Sequence, residues 1–145
     1  MTRRQEREHV FQLLFETEFH TEIPASTVYH NAVISREIPE NSYIRDTYFG
    51  VSEKREEADA LISRFAHKWK LSRMAAVTRN ILRLAVYEMQ WGQVPPKAAI
   101  NEAIELAKIY DDPAATGFIN GILNTIARDL GLISDGRPTE ISGEK

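Results

Sequence analysis

The sequence predicts an all-α domain of about six or seven helices. Three observations carry this. Apolar residues recur at helical spacing along most of the chain. The clearest case is Ala58, Leu61, Ile62, Phe65, Ala66 and Trp69, which follow i, i+3, i+4, i+7, i+8, i+11. No run pairs strict alternation with the turn residues of a hairpin.

The elements follow in order. Val10, Phe11, Leu14 and Phe15 mark one face of a first helix, from about Arg3 to Phe19. Pro24 suits the first turn of a second, which carries Val28, Ala32 and Val33. Pro39 and Gly50 punctuate the next region and leave its boundaries open. The stripe from Ala58 gives a further helix. The segment from Met74 to Trp91 is apolar on most of its circumference, as expected of a central helix contacted from several sides. Gly92 and Pro95-Pro96 end it and start the next, whose stripe is Ile100, Ala103, Ile104 and Ala107. Asp112 is placed to cap a last helix with Pro113 in its first position. Ile119, Ile122, Leu123, Ile126 and Leu130 give that helix its apolar face, and Gly131 its stop. Residues 1–133 make one domain, and the polar tail 134–145 is expected to be disordered.

The chain has 145 residues, 43% of them hydrophobic and 27% charged, enough for both a core and a soluble surface. It contains no cysteine, which excludes disulfides, thiolate metal sites and cysteine nucleophiles. No run has the length of a membrane span, and TRRQERE after Met1 is not a secretory signal, so a cytoplasmic protein is expected. The net charge of −3 argues against an indiscriminate nucleic-acid binder, so any such contact needs a local patch. The four histidines lack metal-site spacing, no phosphate-cradling glycine loop occurs, and no nucleophile has a matched base. No enzyme, metal or cofactor is expected.

Some residues stand out nonetheless. Arg3, Arg4 and Arg7 lie within five residues of one another, and three guanidinium groups on a helix can grip phosphates bidentately. A solvated terminus, with Glu6 and Glu8 as local partners, is the plainer alternative. Tyr110 and Phe118 flank the turn at Asp111 to Pro113, where aromatics either stack on unpaired bases or pack in the core. Arg79, Arg83 and Glu88 sit on the apolar central helix, so they point at a partner or close an internal ion pair. Asn101 and Glu102 either cap backbone groups or bond across to a neighbouring helix. Asn120 interrupts an apolar stripe and needs a partner if buried, and Gly121 beside it suggests a close backbone approach. These last four read as architecture.

Three ordered motifs carry a family resemblance: ILRLAVYEM (Ile81 to Met89), INEAIELAK (Ile100 to Lys108) and FINGIL (Phe118 to Leu123). With the basic first helix RRQEREHVFQLLF, and with Trp69 and Arg73 ahead of the central helix, the chain resembles the NusB family of bacterial transcription antitermination factors over residues 3 to 130. The resemblance implies two small helical bundles. It implies a protein that binds the boxA element of ribosomal RNA transcripts together with NusE, a small-subunit ribosomal protein. The pair would join other Nus factors on RNA polymerase and suppress premature, chiefly Rho-dependent, termination. Some members form homodimers. By position, Arg3, Arg4, Arg7, Tyr110 and Phe118 match RNA-facing residues, and Arg83 lies near the surface offered to NusE. Thr78 departs from the acidic residue many members carry there, and Glu6 interrupts a short basic run. The competing expectation is a helical adaptor that binds protein and no RNA.

Overall fold

The computed structural model describes residues 1–35, 37–66 and 70–134. Trp69, His67 and the expected tail beyond Ser134 lie outside the described residues. Among the described residues seven α-helices follow one another: α1 Arg3–Glu18, α2 Ala25–Ile34, α3 Ser42–Glu53, α4 Arg55–Phe65, α5 Ala76–Gln90, α6 Pro96–Tyr110 and α7 Ala115–Asp129. A single 3-10 turn, Leu71–Arg73, precedes α5, and no strand occurs among the described residues.

Local chemistry explains most boundaries. Thr2 caps α1 through a capping box with Gln5. Asn41 caps α3, accepting from the Ile44 amide at 2.9 Å. Pro96 opens α6 at a position that needs no N–H donor. The Asp112 carboxylate accepts from the Ala114 amide at 2.8 Å, so the cap-like turn is present but α7 proper starts at Ala115 rather than Pro113. Gly131 follows α7 at φ +74°, where a side chain is strained.

Helices α1, α2 and α3 pack together, as do α4, α5, α6 and α7. Helix α5 joins the two groups by touching α1, α3, α4, α6 and α7. Its residues Ile81, Leu82, Leu84, Ala85 and Val86 are all fully or almost fully buried, as the sequence predicts for a central helix. Gly50 does not break the chain. It lies inside α3, where a Cβ would come within 2.2 Å of the Tyr87 hydroxyl. Its missing side chain is what lets α3 approach α5.

Gly121 has the opposite character. A Cβ there would meet nothing within 4 Å, so the expected close backbone approach is corrected to an exposed position. Asn120 is likewise exposed and accepts from Asn124 one turn on, so it is a surface residue and not a buried polar group. Asn101 is exposed. Glu102 is the one of these four that bonds across helices.

Candidate nucleic-acid interface

Helix α1 places Arg3, Arg4 and Arg7 on its first two turns. The structure separates them. Arg3 and Arg4 keep side-chain exposures of 61% and 57%, while that of Arg7 falls to 8%. Arg3 pairs with Glu6 at 3.0 Å and lies over the Tyr43 ring, 3.9 Å from its centroid. Arg4 donates two bonds to Glu102 of α6, at 3.1 and 2.9 Å.

Arg7 points inward. Its Nε and Nη2 donate to the two oxygens of Glu88 at 2.8 and 3.1 Å. The Tyr43 hydroxyl donates to the same carboxylate at 2.6 Å. Burial opposes the charge on Arg7, but bonding to Glu88 outweighs it and leaves the guanidinium above its usual pKa. Burial and the Glu88 charge push the Tyr43 hydroxyl up, so it stays protonated and remains a donor. The expectation of three guanidinium groups open to phosphate is therefore corrected to two exposed ones, Arg3 and Arg4: Arg7 ties α1 to α5 and is closed to phosphate.

The same correction applies along α5. Arg83 donates to Asp59 of α4 at 2.6 and 2.9 Å and to Glu18 of α1 at 2.7 Å. Arg79 donates to Glu18 at 2.8 Å and to the carbonyls of Leu71 and Met74. Asn80 adds a third contact to the same Glu18 oxygen at 3.1 Å. Burial raises the pKa of Glu18, and the bond from Arg79 with the charges of Arg83 and Arg79 outweighs it, lowering the result from 4.5. Arg79, Arg83 and Glu88 thus close internal ion pairs, the alternative that the sequence left open; Arg83 and Glu88 are buried by them, while Arg79 keeps 15% side-chain exposure.

Tyr110 ends α6 beside α1. Its ring lies 4.9 Å from that of Phe11, its hydroxyl donates to Glu8, and Gln12 donates to it at 2.7 Å. It is half-buried, with its polar tip at the rim. Phe118 is also half-buried and faces elsewhere, lining a shallow groove with Met74, Ala75, Thr78 and Ala115. Thr78 donates to Asp111 at 2.6 Å and so holds the turn between α6 and α7.

Where α1 meets α3 and α6, the surface thus carries Arg3, Arg4, the half-buried Tyr43 of α3 and the rim of Tyr110. Tyr43 went unnoticed in the sequence, because nothing local links it to arginines some forty residues earlier. The surface is not simply basic. Glu6, Glu8 and Glu102 lie against its cationic and aromatic groups, and the bond from Arg4 holds Glu102 below 4.5, hence ionised. It offers two exposed guanidinium groups beside two aromatic side chains, already engaged by internal carboxylates. Such a surface can meet a nucleotide chain through phosphate pairing and base stacking, with an internal bond given up for each phosphate bond gained.

Comparison with known proteins bears on this arrangement. The NusB family model matches residues 4–128. A transcription antitermination protein NusB of Lachnoclostridium phytofermentans is 42% identical over 127 residues, covering 85% of this chain and 96% of its own. That of Bacillus pumilus is 40% identical over 131 residues, covering 90% and 98%. The solved T. maritima NusB superposes with TM-score 0.80 at 35% identity, covering 89% and 92% of the two chains. A structure of antitermination factors NusB and NusE in complex with dsRNA shares the fold, with TM-score 0.76 at 24% identity and coverage of 89% and 99%. Matched almost end to end in sequence and in fold, this chain belongs to the NusB family.

Proposed function

We propose that the chain is a non-catalytic transcription antitermination factor of the cytoplasm. It binds boxA-type single-stranded RNA together with NusE and acts with the other Nus factors on RNA polymerase. The observation that carries this reading is family membership over nearly the whole chain, with relatives at about 40% identity named as antitermination proteins. Among the described residues no cluster of three or more potential metal ligands occurs, and no helix is long and apolar enough to cross a membrane.

Arg3 and Arg4 are the phosphate contacts in this reading, and Tyr43 and Tyr110 the aromatic ones. Phe118, in its separate groove, stays a candidate for a more distant nucleotide. Because Arg3 and Arg4 are paired internally, the isolated protein binds RNA weakly. NusE strengthens binding by adding basic surface. The same internal pairing favours a second reading, a protein-binding adaptor that takes no RNA.

Fluorescence anisotropy separates them, using boxA RNA and a scrambled RNA, with and without NusE. The antitermination reading expects boxA to bind better than the scrambled RNA and NusE to tighten it. Changing Arg3 and Arg4 to alanine should lower affinity and reduce the salt slope by roughly 1.4, for two contacts on a single strand. Equal affinity for both RNAs, with no effect of NusE or of the substitutions, leaves the adaptor.

A further inference from the structure

A cleft of about 640 Å³ opens where the end of α1, helix α4 and the first half of α5 meet. Its lining includes Arg55 and Ser63 of α4, Lys70 and Ser72 of the connection, and Arg79 and Arg83 of α5, with Glu18 at its base. It is separate from the Arg3 and Arg4 surface, which lies at the other end of α1.

Charge in the cleft is unbalanced. Glu18 in the cleft and Asp59 beside it stand against four cations, Arg55, Lys70, Arg79 and Arg83. Arg83 is saturated by both, and Arg79 shares Glu18. Arg55 reaches Asp59 only at 3.9 Å and keeps 46% side-chain exposure. Lys70 is exposed and makes no ion pair among the described residues. The Nη2 of Arg79 likewise has no acceptor among them, while its Nε and Nη1 are held by Glu18 and two carbonyls. A guanidinium fixed in the wall, with exposed cations at the mouth and two exposed hydroxyls nearby, is a donor set suited to phosphate oxygens. The volume falls in the range of small-ligand sites and exceeds what a bare phosphate fills.

We infer that this cleft binds a phosphate group carried on a nucleotide-sized ligand, through Arg79 in the wall and Lys70 and Arg55 at the mouth. Free phosphorylated ligands and the nucleotides of an RNA chain share this chemistry. The inference stands apart from the antitermination reading, which rests on the family and on Arg3 and Arg4.

The test follows backbone amides by NMR while the full chain is titrated with pyrophosphate or, separately, with a short single-stranded oligouridylate. Amides of Ser63, Lys70, Ser72 and Arg79 should shift and saturate. Saturation by pyrophosphate alone identifies a free phosphorylated ligand. Saturation by the oligonucleotide, persisting when Arg3 and Arg4 are alanine, identifies RNA. An Arg55→Gln, Lys70→Glu variant spares the internal network, so it should melt like the wild type yet bind roughly tenfold more weakly. The inference is overturned if neither titrant saturates, if the double variant binds like the wild type, or if sodium chloride at matched ionic strength gives the same shifts.

Discussion

Replacing Arg7 by alanine tests whether the first helix is anchored by a buried ion pair. The change removes both N–H donors at 2.8 and 3.1 Å from Glu88, whose side chain is 2% exposed. Glu88 keeps only the Tyr43 hydroxyl among the bonds described here. Stranding one partner of a buried pair costs about 3–5 kcal/mol. For a domain of this size that lowers the melting temperature by roughly 10–20 °C. Arg7→Lys should recover only part, since an ammonium does not reproduce a two-pronged bond to a carboxylate. Arg7→Met combined with Glu88→Leu should be more stable than Arg7→Ala, because no uncompensated charge remains inside. Arg4→Ala is the control: its exposed pair should leave stability near that of the wild type. Urea unfolding followed by far-UV circular dichroism reads all four variants, with the midpoint moving and the slope unchanged. If Arg7→Ala stays within about 1 kcal/mol of the wild type, or the double change is no better than the single one, the buried-pair argument fails.

Stability should also fall in acid. Glu18 and Glu102 have folded pKa values below the ordinary 4.5, so their contribution is fully present above 4.5 and is lost as pH drops through the lowered values. Glu18→Gln should flatten that part of a melting-temperature profile against pH, and an unchanged profile would count against the assignment. Gly121→Ala should raise stability by about 1 kcal/mol in urea unfolding, because the position is helical, exposed and open; a loss would show an unseen neighbour. Gly50→Ala should lower stability by about 1–3 kcal/mol as the new methyl meets the Tyr87 ring. That cost should shrink in a Tyr87→Leu background, and simple additivity of the two changes would refute the contact.

The sequence made some features legible and hid others for definite reasons. Helices α4 and α7 were readable because each carries an apolar stripe long enough to set the helical period, and α5 because it is apolar on most of its circumference. α3 was obscured by Gly50, whose reason is Tyr87, thirty-seven residues later and invisible to any local rule. Asn120 and Gly121 suggested an interior because they interrupt Ile119, Ile122 and Leu123. At a hundred degrees per residue they fall on the opposite face, which is open. The arginine cluster was visible as composition, but its division was not. Arg7 differs from Arg3 and Arg4 through Glu88, eighty-one residues away. The sequence posed ion pair against partner contact for α5, and only the placement of Glu18 and Asp59 decides it.

The span of the α1 contacts carries a consequence for how the chain is made. Arg4 finds Glu102, and Gln12 finds Tyr110, each across 98 residues. The first helix to leave the ribosome is therefore among the last to be completed. At about 5–20 residues per second, its apolar face waits roughly 4–14 seconds for α5, its second main packing partner, to be synthesised. Until then Val10, Phe11, Leu13 and Leu14 have only α2 and α3 to rest against. Nascent chains stalled before Ala76 should thus hold an α1 open to proteolysis and to chaperones. Chains long enough to expose α5 beyond the exit tunnel should not.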